Sequence, residues 1–307
     1  MPASPVTNTP SEPRTITLSG QNNLGLATSL WGEDNVDPVV LLHGGGQTRQ
    51  AWGGTGTALA AAGWRVYAVD MRGHGDSEWP VNPDYDFEFF GQDVIEICEQ
   101  LDRAPIVVGA SLGGISALSA QGMSKKQLYR GLVLVDITPR MEVEGVQRIV
   151  GFMTSSPNGF ASLEEAAEAI AGYRLNQKRT KNLDGLKKVL RQKEDGRWHW
   201  HWDIRFITHR MDEAQRPPAE TINRMEEGEQ HFDGMRERLL RCAGKVEVPA
   251  LLMRGKLTDL VSEEGAQELL KAMPNASYVD VHDATHMLAG DQNDIFTEEV
   301  LRFASQI

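Results

Sequence analysis

Three rhythms of apolar and polar residues divide this chain. From about residue 14, "RTITLSG" and "LGLATSLWG" alternate over short spans and predict two strands joined as a hairpin. Beyond them, compact apolar runs recur: "PVVLLH" (38–43), "RVYAVD" (65–70), "PIVVGA" (105–110) and "GLVLVD" (131–136). "PALLMRG" (249–255) and "ASYVDVH" (276–282) continue the series. Unbroken β-branched runs are expected of parallel strands covered on both faces. Helical patterns lie between them, at 54–63, 87–101, 113–122 and 263–273. Strand and helix in alternation predict an α/β fold, a mainly parallel central sheet of about eight strands flanked by helices.

Between about 141 and 245 the rhythm changes. That stretch is strand-poor and reads as helices, among them "LEEAAEAIAGYRL" and "TINRMEEGEQHFDGMRERLLRC". It predicts a helical cap inserted between two core strands, so residues 14–140 and 246–307 form the core and 141–245 the cap. The aromatic cluster "RWHWHWD" (197–203) is expected to be core of the cap, with lining of an apolar pocket as the alternative for Trp198, Trp200, Trp202 and Met153. Residues 1–13, rich in proline, read as a disordered leader and not a signal peptide.

A net charge of −12 argues against broad nucleic-acid binding. No apolar run reaches the roughly 20 residues that span a bilayer, so membrane insertion is not expected and a cytoplasmic location is the default. Cys98 and Cys242, the two cysteines, have neither metal-ligand spacing nor a disulfide pattern, and Cys98 lies in an apolar-periodic run. No cofactor and no metal are expected. The partner expected is a small-molecule substrate, and a homo-oligomer is compatible with the sequence.

The sharpest local signal is "IVVGASLGG" (106–114), a strand running into Gly109-Ala110-Ser111-Leu112-Gly113 and then a small-residue helix. G-x-S-x-G in that context is a nucleophile elbow, with Ser111 exposed on a strained turn and the Leu112 N–H aimed at a developing oxyanion. A serine hydroxyl needs a base, and the base an acid, here expected in the order Ser, Asp or Glu, His. His286, in the loop of "VDVHDATHMLAGD", is preferred over His282, which sits in the strand's end. For the acid, Asp259 in "LLMRGKLTDLVS" is preferred, with Asp136 at the end of "LVLVD" and Asp283 as alternatives.

"LLHGGG" (41–46) raises a separate question, because three glycines could cradle a phosphate, an oxyanion or only a turn. No Lys-Ser/Thr follows, and the helix a dinucleotide site needs is delayed by "QTRQAWGG", although Asp70 stands at a suggestive distance. The remaining reading is an oxyanion loop, with the Gly45 N–H as donor and Gly46 next. His43 is expected to buttress that loop, as His74 and Asp76 in "VDMRGHGDS" shape theirs. The absence of side chains at Gly44 to Gly46 predicts a roomy acyl side.

Together "LLHGGGQTRQAW", "VDMRGHGDS", "VVGASLGG", "LLMRGKLTDLVS" and "HDATHMLAGD" resemble the α/β-hydrolase fold superfamily in order and spacing. They look most like the branch with a Ser elbow and a helical cap, which holds esterases, C–C bond hydrolases and cofactor-free haloperoxidases. The resemblance implies Ser111 as nucleophile, His286 as base, Asp259 as acid, and Gly45 and Leu112 as oxyanion donors. Ser111 stands where dehalogenases and epoxide hydrolases carry Asp, which disfavours both. A carboxylic ester (or lactone or thioester) hydrolase acting through an acyl-enzyme is expected, with C–C hydrolysis, perhydrolysis and a ligand-sensing receptor as alternatives.

Overall fold

Apolar runs with no polar partner along them can only be accommodated inside a sheet covered twice. The computed structural model, which describes residues 12–173, 183–208, 234–282, 284 and 293–307, shows this arrangement. Strands β1 (Arg14–Ser19), β2 (Gly25–Trp31), β3 (Pro38–Leu42), β4 (Arg65–Val69), β5 (Ile106–Ala110) and β6 (Gly131–Val135) enter one sheet. Every residue of β3, β5 and β6 is buried. Side chains alternate between faces. Val39, Leu41, Ile106 and Val108 pack with Trp52, Leu59, Phe296 and Val300. Val40, Leu42, Val107 and Leu132 pack with Phe90, Ile97, Ile115 and Leu118. Helices α1 (Gly53–Ala61), α2 (Phe87–Glu99) and α3 (Leu112–Met123) supply much of that cover.

After β6 the chain leaves the sheet through α4 (Val143–Thr154) and α5 (Leu163–Tyr173). A two-stranded antiparallel pair follows, β7 (Leu190–Gln192) with β8 (Trp198–Trp200). This corrects the expectation that the aromatic cluster lies among helices. Trp198, Trp200 and Trp202 recur every second residue, the period of a strand. Trp200, Trp202 and Met153 belong to a cluster with Phe160, Ile170 and Leu190, the segment's own core. The sheet resumes with β9 (Ala250–Gly255) and, after α6 (Glu263–Ala272), ends with β10 (Ala276–Val281); α7 (Thr297–Ala304) closes the chain.

The sheet has eight strands in the order β1-β2-β4-β3-β5-β6-β9-β10, with β1, β2 and β4 paired antiparallel and all other pairs parallel. The strand order reverses at β3, which lies between β4 and β5. In open α/β sheets a crevice opens outside the carboxyl ends of the strands at such a reversal. The glycine loop follows β3 and the serine turn follows β5. Sequence order and sheet order therefore bring both to one place.

Candidate functional site

Ser111 stands at φ 47°, ψ −112°, between the end of β5 and the start of α3. A non-glycine residue in this region costs on the order of 1–3 kcal/mol, so its surroundings must impose it. The two flanking glycines explain how. A Cβ on Gly109 would lie 2.5 Å from the Gly113 carbonyl carbon, and one on Gly113 would lie 2.5 Å from the Leu42 oxygen. Strand, turn and helix thus approach too closely for any side chain at either position. The turn is fixed further by the Ser111 N–H donating to the Val135 carbonyl at 3.0 Å.

The glycine loop lies against this turn. A Cβ on Gly44 would sit 3.4 Å from the Ser111 Cβ, and one on Gly45 would sit 4.0 Å from Leu112 Cδ2. Gly44 is tied on both sides, its N–H donating to Gln47 Oε1 at 2.9 Å and its carbonyl accepting from the Gln47 N–H at 3.1 Å. Gly46 holds φ 78°, which favours glycine. The N–H groups of Gly45 and Leu112 have no hydrogen-bond acceptor among the described residues.

His43 supports the loop from beneath and is fully buried. Its Nδ1 lies 2.8 Å from the Gly44 carbonyl, and its Nε2 accepts the Met71 N–H at 3.0 Å. A carbonyl can only accept and an amide N–H can only donate, so the ring is neutral with its proton on Nδ1. Burial drives its pKa down to about 4. His74, also fully buried, is driven to about 3 by burial and by His43, whose ring lies 5.2 Å away. Its Nδ1 faces the Arg72 carbonyl at 2.9 Å, while its Nε2 has no partner among the described residues. Asp70, which stands at the distance a dinucleotide site would use, is buried, accepts the Arg49 backbone N–H at 2.5 Å and is ion-paired with the Arg49 guanidinium. It also accepts the Asp76 N–H at 2.9 Å. Both acceptor oxygens are occupied by the fold.

The two acid contenders sit differently. Asp136 follows β6 at φ 49°, 1% exposed, with Oδ1 accepting the Gly255 N–H at 3.0 Å and Oδ2 accepting the Thr258 hydroxyl at 2.9 Å. Asp259 is half-exposed, and its carboxylate is ion-paired with Arg148 of α4 at 2.5 Å. Arg148 also lies over the Tyr173 ring, 5.3 Å from its centroid. His286 and Asp283 fall outside the described residues. The structure therefore brings together Ser111, Leu112, Gly44, Gly45 and His43. Asp136 follows the strand that pairs with the serine's, and Asp259 is turned to the intervening segment.

One expectation is corrected here. The space over Gly45 is not open, because a Cβ there would meet Phe206 Cε1 at 3.3 Å and Cζ at 3.5 Å. Phe206 belongs to the segment between β6 and β9 and carries no local signal of its place. Sequence reasoning also missed Tyr85 and Asp203, whose hydroxyl and carboxylate meet at 2.6 Å in the buried floor under that segment. Asp203 is kept ionised below its usual range; burial opposes this, and hydrogen bonds from Arg205 and Tyr85 prevail. Among the described residues no group of three or more His, Cys, Asp or Glu could hold a metal, and no helix is long and apolar enough to cross a membrane.

A family model described as the alpha/beta hydrolase family matches residues 39–299, and the chain belongs to that family. It is 28% identical over 179 residues to an esterase of Mycobacterium tuberculosis, covering 56% of this chain and 58% of the esterase. Another relative is the 3-hydroxybutyrate-oligomer hydrolase of Cupriavidus necator, 27% identical over 266 residues, covering 83% of this chain and 85% of the hydrolase. The match to mouse protein phosphatase methylesterase 1 spans 42% of this chain and 35% of that protein, so the first of these relatives are matched over little more than half their length or less. Among solved structures, an alpha/beta hydrolase from Novosphingobium aromaticivorans superposes with a TM-score of 0.73 at 21% identity, covering 97% of this chain and 99% of that one. This last likeness concerns the fold.

Proposed function

We propose that the protein is a serine hydrolase that cleaves a carboxylic ester of a small, largely apolar substrate through an acyl-enzyme. The observation that carries this reading is Ser111 at positive φ with two uncommitted N–H groups, those of Gly45 and Leu112, in loops packed against it. Two relatives named as an esterase and an oligomer hydrolase support the ester class. His286 acts as base and takes the Ser111 proton as Oγ bonds to the ester carbonyl carbon. The oxyanion so formed is held by the Gly45 and Leu112 N–H groups, each such donor being worth about 10²–10³-fold in rate. The C–O bond to the alcohol breaks as His286 returns the proton to the leaving oxygen. Water, deprotonated by the same histidine, then releases the acid and restores Ser111.

For the acid that orients His286, Asp136 is the stronger carrier. Burial, a backbone fixed at φ 49° and two donors to its oxygens are the marks of a rigid orienting carboxylate. Asp259, the first choice from sequence order, directs its carboxylate to Arg148. The segment between β6 and β9 would serve as the cap over this site.

The test is labelling with a fluorophosphonate followed by mapping of the modified residue. Ser111 should carry the label. Ser111→Ala should abolish labelling and lower ester turnover by at least about 10³-fold. Label on another residue, or turnover retained in the variant, sinks the proposal.

A further inference from the structure

The chain at residues 201–206 is attached to the core by a set of hydrogen bonds. The Asp203 N–H donates to the Gly73 carbonyl at 2.8 Å, and the Gly75 N–H donates to the His201 carbonyl at 2.8 Å. Asp203 accepts the Tyr85 hydroxyl at 2.6 Å. Arg205 donates to the carbonyls of Pro80 and Val81 at 2.9 Å each, and to the Asp203 carboxylate. The Phe206 N–H donates to the Asp203 carbonyl at 2.9 Å. The result is a segment of chain stitched, through residues 201, 203 and 205 just before Phe206, to the loop that runs from β4 to α2.

The ring of Phe206 is equally constrained. It meets His74 edge-on at 5.1 Å, Tyr85 at 6.1 Å and Phe90 at 5.8 Å, with interplanar angles of 68°, 79° and 77°. Edge-to-face contacts of this kind fix orientation as well as distance. Its outer carbons, Cε1 and Cζ, are the atoms closest to the missing Cβ of Gly45. Gly45, the proposed oxyanion donor, thus has an aromatic edge beside it, packed on Phe90 and on His74 and Tyr85, the last two held by buried hydrogen bonds.

We propose that Phe206 sets the size of the substrate group lying beside the oxyanion loop and so restricts the enzyme to esters of short acyl chains. The inference rests on the serine-hydrolase reading and adds the substrate class to it. Three glycines alone would leave that corner open to long or branched acyl groups. The ring closes it, and because it is fixed, long chains are rejected by clash and not by a slow rearrangement. One methylene more or less on a substrate in an apolar pocket changes kcat/KM by about 10–200-fold, so a ring closing the pocket is ample to impose a chain-length cut-off.

The experiment compares kcat/KM for p-nitrophenyl acetate, butyrate, hexanoate and octanoate in the wild type, Phe206→Ala and Phe206→Trp. Wild type should favour acetate or butyrate. Phe206→Ala should raise the octanoate-to-acetate ratio at least about 10-fold, with the change mainly in the octanoate arm. Phe206→Trp should lower the butyrate-to-acetate ratio, and it keeps the test alive should the alanine variant not fold. Unchanged ratios in both variants, with Ser111 still labelled by fluorophosphonate, overturn the inference alone. A wild type that neither labels at Ser111 nor turns over any ester overturns the serine-hydrolase reading instead.

Discussion

Two carboxylates stand beyond neighbouring strands of the sheet, and the chain treats them in opposite ways. Asp136 leaves β6 at a strained, buried turn whose oxygens are held by Gly255 and Thr258. Asp259 lies one residue beyond Thr258, half-exposed, and reaches away to Arg148. The loop that carries the second contender thus clamps the first. The same loop anchors α4: the Glu142 N–H donates to the Leu260 carbonyl at 2.9 Å, and a Cβ on Gly145 would lie 2.5 Å from the Asp259 oxygen. Position at a strand's carboxyl end is not sufficient for an orienting acid. Burial and fixed geometry set Asp136 apart from Asp259, whose carboxylate joins the loop after β9 to α4.

The largest effect that would test this contrast is on turnover. Asp136→Asn keeps the shape and can still accept at one oxygen, but it cannot favour the imidazolium. The loss of an orienting carboxylate in a triad lowers kcat by about 10⁴-fold, and we expect about 10³–10⁴-fold here. The pH profile discriminates: the residual activity should rise with pH where wild type is flat. If Asp259→Asn shows that loss and Asp136→Asn does not, the assignments exchange.

Such measurements need a folded protein, and His43 and His74 set the range. Both are neutral and buried, with pKa values of about 4 and about 3 against an ordinary 6.5. The unfolded chain therefore binds more protons than the fold between these values and 6.5. Their contribution to stability is complete above about pH 6.5 and is lost as the pH falls towards 4. His43 alone should remove about 2 kcal/mol between pH 7.5 and 5, read as a fall in the urea midpoint. His43→Gln should flatten that dependence. An unchanged slope would mean that His43 is not held neutral. Activity lost in acid by Asp136→Asn must be compared with this unfolding before it is assigned to the site.

How much of this was legible in the sequence follows from the range of each interaction. The strands and the elbow are local: continuous β-branched runs, and glycines at 109 and 113 that the close packing of Leu42 and Gly113 demands. The hydrogen bonds of His43 are carried by residues near the strand ends, and its buttressing role followed from its place. β8 carries a local signal, since W-H-W-H-W has the strand's period, but the signal is brief and stands in a segment whose longer patterns are helical. Phe206 over Gly45 was not legible, because the contact joins residues far apart in sequence and depends on how the segment between β6 and β9 is stitched down. The positive φ of Asp136 was likewise hidden. Asp tolerates that region better than most residues but does not announce it. The different settings of Asp136 and Asp259 could not be seen from sequence, since Asp259 is paired with Arg148, a distant residue of α4.

The smaller effect concerns Asp259. If its carboxylate only fastens α4 to the loop after β9, Asp259→Asn should lower kcat/KM by less than about 10-fold. The partly exposed pair should be worth about 0.2–1 kcal/mol of stability. Arg148→Gln should reproduce both changes, because each variant removes the same ion pair, and the double variant should cost no more than Arg148→Gln alone. Arg148 also stacks on Tyr173, so Arg148→Gln should be the slightly more destabilising of the two. A double-mutant cycle on urea midpoints reads the coupling directly. Additive losses would show that Asp259 acts without Arg148, returning it to contention as the acid and removing the reason for preferring Asp136.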